Sequence, residues 1–184
     1  MERLNPASRG DRYGKRINRD ESPLLAYSVP YLSIMLGSLL PVFPIATGMP
    51  ALPPLGFLLL IGWRIMRPGL MPLWVGLPLG AFDDLFSGQP FGSAILLWSL
   101  AMIGIEIVEA RFPWRGFWQD WFTAGIAALG YCLAAILASG ARLNLHLLLA
   151  CLPQILLSIM LYPIVARMVA WLDRLRLTRI RVVG

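Results

Sequence analysis

Residues 80–92 read GAFDDLFSGQPFG. The two adjacent carboxylates in that run, Asp83 and Asp84, stand at the edge of a stretch that is otherwise lipid-soluble. Ionisable groups near a bilayer are costly and are retained for a reason. Gly76, Gly80 and Asp84 are spaced four apart, so on a helix they share one face. A Gly-x-x-x-Gly pair lets a second helix approach closely. Asp84 continues that stripe by one turn and is expected to point into protein. Asp83 lies about 100° round the helix and is expected to reach water or headgroups. Ser87-Gly88-Gln89-Pro90-Phe91-Gly92 then turns the chain. Gly88 and Gly92 allow a tight turn, and Pro90 suits the first turn of the next helix, where its missing N–H is no loss. Upstream, Pro78 removes one backbone hydrogen bond and leaves the Trp74 carbonyl free to kink the helix or to coordinate.

The rest of the chain says what kind of helix this is. Of 184 residues, 58% are hydrophobic and only 14% charged, and the mean hydropathy is +0.68. A soluble domain sits near half apolar and a quarter charged. The expected class is therefore all-α, a polytopic membrane bundle of about six transmembrane helices forming one domain. Spanning takes about 20 apolar residues. The candidate spans are residues 25–47, 50–66, 69–86, 90–110, 118–140 and 144–172. The first ends among Pro41 and Pro44. The last is longer than the hydrocarbon core and is expected to tilt or project, with kinks at Pro153 and Pro163. The polar, aperiodic residues 1–23 are expected to be a disordered basic tail before the bundle of 24–173, with a short basic tail over 174–184. The long charged region and the long apolar segment after it argue against a signal peptide.

Charge orients the bundle. With six spans both termini share one side, and fourteen of the sixteen Lys and Arg residues then fall on that side. Arg167 lies near the same end of the last helix, and only Arg142 falls opposite. The positive-inside rule places both termini in the cytoplasm. A re-entrant hairpin of spans two and three is disfavoured because it would bury Arg64 and Arg67 at its tip. The net charge of +6 fits this orienting role, and no aromatic–basic interleaving suggests a nucleic-acid partner. The basic tails are expected to meet anionic lipid headgroups.

This orientation puts Asp83 and Asp84 at the extracytoplasmic end of the third helix. One reading makes Asp84 a cap for the N–H groups of the fourth helix, fixing the angle between the two. A partner contact or a ligand site is the alternative. Paired acids can do acid–base chemistry, but no nucleophile, metal-ligand set or phosphate loop accompanies them, so no catalytic residue, metal or cofactor is expected. Glu106 and Glu109 sit one turn apart with Arg111 and Arg115 nearby, which suggests interfacial ion pairs. His146 stands alone. Gln154 is expected to hydrogen-bond across the bundle, and Gly130, Ala134 and Ala138 form a small-residue stripe. Cys132 and Cys151 lie in apolar segments and read as packing residues. Trp63, Trp114, Trp118, Trp121 and Trp171 read as interface anchors.

The ordered pattern Gly80-x-x-x-Asp84-Leu85-Phe86-x-Gly88-x-Pro90-Phe91-Gly92, followed by an apolar helix, resembles the hallmark of MreD, the bacterial rod shape-determining membrane protein. Arg67-Pro68 before an apolar run looks like that family's connection between its second and third spans. The family pattern has one aspartate where this chain has two, and Asp84 matches it by spacing. The resemblance implies a non-enzymatic inner-membrane subunit of the cell-elongation machinery, guiding lateral peptidoglycan synthesis. Its implied partners are MreC above all, with MreB, RodA and a penicillin-binding transpeptidase reached directly or through MreC. The competing reading is a small-molecule (vitamin-like) binding membrane subunit of a transporter, which an outward cavity over Asp84 would favour.

Overall fold

The computed structural model describes residues 19–21, 23–40, 52–112, 116–140, 144–177 and 179–181. Six helices follow in chain order: α1 (Pro23–Leu39), α2 (Leu55–Met66), α3 (Gly76–Phe86), α4 (Ser93–Arg111), α5 (Phe117–Ala138) and α6 (Leu145–Arg176). Three of them, α4, α5 and α6, are long and apolar enough to cross a membrane. The chain is an all-helical bundle of membrane-protein character.

Prolines set the boundaries that differ from expectation. α1 stops at Leu39 because a proline follows Leu40, and its ring disfavours helical backbone in the residue before it. The rest of the first expected span, residues 41–47, lies outside the described residues. α2 starts at Leu55, after Pro53-Pro54, and not at 50; the Pro54 carbonyl accepts the Leu58 N–H at 3.0 Å. The third span is helical only from Gly76, not from 69. Gly69 turns the chain at φ +84°, Pro72 is extended, and a 3-10 turn over Leu73–Val75 leads into α3. Pro90 is not in the first turn of α4. It lies in the preceding turn, where its carbonyl accepts the Ser93 N–H at 3.0 Å. α6 runs as one helix through Pro153 and Pro163 and ends at Arg176, beyond the expected 172.

The tails are also corrected. Residues Arg19–Glu21, expected to be disordered, form β1, and Arg179–Arg181 form β2. The two strands pair antiparallel, Arg19 opposite Arg181 and Glu21 opposite Arg179. The segments entering α1 and leaving α6 therefore meet at one end of the bundle.

Packing is centred on α2. Every residue from Gly56 to Ile65 is buried, as expected for a helix that is apolar all round. It touches α1, α4, α5 and α6. Phe57 stacks on Tyr131 of α5 at 4.3 Å between ring centres and lies 6.2 Å from Trp98 of α4. Outward positions are apolar too. Leu96, Leu100, Ile103 and Ile107 make an exposed stripe on α4, and Met160 and Ile164 are exposed on α6. Exposed stripes of this kind mark a surface made for lipid or a partner. Three polar side chains inside the bundle tie neighbouring segments through backbone or hydroxyl partners. Gln154 donates to the Leu52 carbonyl at 2.9 Å, and Trp121 donates to the Ile159 carbonyl at 3.0 Å. Trp63 is fully buried and donates to the Ser33 hydroxyl at 2.9 Å, so it is a core residue and not an interface anchor. Trp118 and Trp171 are exposed, and Trp114 lies outside the described residues. Cys132 is buried and Cys151 half-buried, both as free thiols.

Candidate functional site

The acidic turn is built around the start of α4. Gly92 precedes that helix at φ +98°, a conformation that L side chains rarely adopt. A glycine there supplies no side chain to cap the exposed N–H groups. Asp84, eight residues earlier on α3, supplies it. Its Oδ2 accepts the Gly92 N–H at 2.8 Å and the Ile95 N–H at 3.2 Å. Its Oδ1 accepts the Ala94 N–H at 2.8 Å and the Ser93 hydroxyl at 3.3 Å. Gln89 joins from the turn, its side-chain oxygen accepting from Ser93 at 3.3 Å. A carboxylate at a helix N-terminus gains from both the hydrogen bonds and the helix dipole.

The glycine stripe brings α3 to that position. A Cβ built at Gly80 would lie 2.7 Å from the Ala94 carbonyl oxygen and 2.7 Å from Ile95 Cα. One at Gly76 would lie 3.0 Å from Ser99 Cα. The two helices thus pack backbone against backbone, and Asp84, one turn beyond Gly80, is delivered to the α4 amides.

Asp83 does not reach water. It is buried, facing Ser38 of α1 and near Tyr131 of α5. Helix periodicity placed it off the Gly76–Gly80 face correctly. What it did not reveal is that α1 covers that second face of α3. Gly88, at φ +68°, and the exposed Pro90 shape the turn without touching Asp84 through a side chain.

Replacing Asp84 tests the cap. Asp84→Asn keeps one acceptor oxygen and is expected to cost about 1 kcal/mol, the scale of a helix-end charge. Asp84→Leu leaves buried N–H groups without a partner and is expected to cost about 3 kcal/mol. Thermal unfolding in detergent should rank wild type above Asn above Leu. Equal melting of the Asn and Leu variants would remove the cap from the account.

A second polar assembly lies at the opposite end of α4. The cation that reaches Glu106 and Glu109 is Arg64 of α2, which is buried; it pairs with Glu106 and lies 3.2 Å from Glu109. The sequence reading offered Arg111 or Arg115 for this role. Arg111 is exposed at the end of α4, and Arg115 lies outside the described residues. Alongside, Asp173 of α6 accepts from Arg67 Nε at 2.9 Å and from Arg176 Nε at 2.7 Å. Arg176 also donates to the Ala26 carbonyl of α1 at 3.2 Å and lies 5.9 Å from the centre of the Trp63 ring. The hydrogen bond and charge of Asp173 hold the Arg67 guanidinium above its ordinary value, so it stays a cation. These pairs clamp α1, α2, α4 and α6 together at the end where β1 and β2 meet.

Sequence reasoning missed a further close contact. A Cβ at Gly37 would lie 3.1 Å from the Gly56 backbone, and one at Gly56 would strike Ser38, whose backbone N lies 3.1 Å away. The small residues were visible, but the pairing of two positions with eighteen residues between them was not.

A lateral groove of about 700 Å³ runs between α4 and α5, with Phe57 and Tyr131 among its lining residues. Neither Asp83 nor Asp84 lines it. Gly130 and Ala134 of the expected small-residue stripe do, while Ala138 is exposed. Among the described residues no group of three His, Cys, Asp or Glu side chains is placed to hold a metal ion, and His146 is exposed at the start of α6. Comparison of the chain with protein-family models, with curated proteins and with solved structures finds no match.

Proposed function

We propose that this chain is a non-enzymatic scaffold subunit of the MreD type in the bacterial inner membrane, with six spans and both termini in the cytoplasm. It works in the cell-elongation machinery with MreC, and with MreB, RodA and a penicillin-binding transpeptidase directly or through MreC. The observation that carries the reading is the engagement of Asp84. The carboxylate that anchors the resemblance is fully committed to the α4 amides and to Ser93. An outward cavity over that group would favour a transporter's binding subunit. The described cavity instead opens sideways between α4 and α5, and neither aspartate lines it.

Two further features support the layout. The β1–β2 pairing brings the segment before α1 and the segment after α6 to one end of the bundle, in keeping with an even number of crossings. The paired Arg64, Arg67 and Arg176 gather at that same end, where the positive-inside rule wants its cations.

The test is depletion in the native cell. Rounding and swelling of rod-shaped cells is the expected result, with shape restored by the wild-type chain. Auxotrophy for a small molecule with normal shape would favour the transporter. In a cysteine-free background, Phe91→Cys should label with an impermeant thiol reagent once the outer membrane is permeabilised, and Arg174→Cys should not. Phe91 and Arg174 are both exposed and lie at opposite ends of the bundle.

A further inference from the structure

The arginines toward the end of the bundle where β1 and β2 meet fall into two groups. Arg64, Arg67 and Arg176 are taken by carboxylates of the fold. Arg167 and Arg174 of α6 are exposed, and neither enters an ion pair among the described residues. Their place on the helix explains the difference. Val165 and Val169 are buried against α2, and a Cβ at Gly62 would lie 3.2 Å from Val169 Cγ2. At about 100° per residue, Arg167 stands about 160° round from each of them and so faces away from α2. Asp173, the one carboxylate of α6, is buried and already accepts from Arg67 and Arg176. A guanidinium left without a partner on a lipid-facing row is costly, and the fold supplies none.

The row that carries Arg167 changes character along its length. Met160 and Ile164 are exposed, followed by the exposed Arg167, Trp171 and Arg174. Steps of three or four residues keep all five in one line along α6. The apolar part of that line belongs to a helix long and apolar enough to cross a membrane. Tryptophan favours the level of the lipid headgroups, so Trp171 marks where the hydrocarbon ends. Arg174 lies about 10 Å further along the axis than Arg167, and long arginine side chains extend from apolar surface toward headgroups. An apolar track that ends in guanidinium, indole and guanidinium matches a phospholipid, acyl chain against the first two residues and phosphate at the arginines. A guanidinium donates two parallel hydrogen bonds to one phosphate. A zwitterionic headgroup also brings an ammonium, and this face offers it no carboxylate among the described residues. The row therefore selects a headgroup of net negative charge.

We infer that Arg167, Trp171 and Arg174 form a binding site for the headgroup of an anionic phospholipid on the outward face of α6. The site requires α6 to lie in lipid and does not depend on the scaffold reading. It differs from the general attraction of a basic tail to a membrane surface, because Arg167 lies in the body of the helix and the selection is by headgroup.

The test titrates the purified full chain in detergent micelles with palmitoyl-oleoyl phosphatidylglycerol or phosphatidylcholine and counts bound lipid by native mass spectrometry. The first phosphatidylglycerol should bind about tenfold more tightly than the first phosphatidylcholine, the scale of two arginines at a lipid surface. Arg167→Gln with Arg174→Gln should remove that preference, and either change alone should reduce it about threefold. Arg111→Gln takes the same charge from the exposed end of α4, off this row, and should leave the preference intact. The melting temperature in lipid-free detergent should hold in all of these variants. A preference that survives the double substitution, or that Arg111→Gln reduces as much as either single change, overturns the site and leaves only a general attraction of charge. A fall in melting temperature with the double substitution also overturns it, by making the arginines part of the fold. Displacement of phosphatidylglycerol by millimolar inorganic phosphate would show a free-phosphate site and remove the lipid as occupant. The micelle assay contains no elongation machinery, so its failure and a failure of the cell-shape test are separately readable.

Discussion

Gly80→Leu is expected to disrupt the α3–α4 pair more than any other single change on that face. The first added carbon already lies 2.7 Å from the Ala94 carbonyl oxygen and from Ile95 Cα. Those are backbone atoms of the α4 first turn, so no side-chain rotation relieves the clash. Either α3 moves away or α4 loses its opening turn, and in both cases Asp84 leaves the Gly92, Ala94 and Ile95 amides. Overpacking costs about 1–3 kcal/mol by itself, and losing the cap adds about 1 kcal/mol. At roughly 2–4 °C per kcal/mol for a chain of this size, the melting temperature in detergent should fall by about 4–16 °C. Gly80→Ala should already show part of this loss. Gly104→Ala is the contrasting control: its Cβ meets open space, and removing a helical glycine should stabilise by about 1 kcal/mol. If Gly80→Ala melts with wild type, the backbone-to-backbone contact is not what holds α3 to α4.

Arg64→Met should be as damaging, for an electrostatic reason. Arg64 is the buried cation between α2 and α4, and its removal leaves Glu109, whose side chain is only 17% exposed, without that charge beside it. Breaking one side of a buried pair costs about 3–5 kcal/mol, because the remaining charge stays desolvated. Glu106 contributes less, since its side chain is half exposed and water screens it. The decisive measurement is a double-mutant comparison. Glu109→Gln in the Arg64→Met background should recover most of the lost stability, and Glu106→Gln little of it. A double variant no more stable than Arg64→Met would show that the guanidinium matters for packing and not for charge.

Much of this bundle is legible in the chain itself, and the legible part is local. Apolar runs of the right length identify helices that live in lipid, and α4, α5 and α6 lie within a few residues of their expected bounds. Spacing by four puts Gly76, Gly80 and Asp84 on one face, and a turn rich in glycine and proline puts the next helix start within reach of that carboxylate. Periodicity and reach along the chain suffice for both inferences. Where proline interrupts an apolar run, hydropathy alone overextends the helix, as at the starts of α2, α3 and α4, because transfer energy does not register a missing N–H.

Pairings between distant segments were decided only when the helices packed. Charge counting grouped Arg64 and Arg67 with the basic tails, but it pointed to Arg111 or Arg115 as partner for the α4 glutamates where the structure has Arg64, since the pairing depends on which face of α2 turns toward α4. Asp83 looked solvent-facing because nothing in its neighbourhood announced that α1 would cover it. Trp63 looked like an interface anchor until α2 proved to be the central helix. The same packing left α4 and α5 apart, with Gly104 and Gly130 on the walls of the groove between them. A residue's own helix sets its angular position within a turn or two, while what stands opposite is a sum over every helix in the bundle, and only the tertiary structure performs that sum.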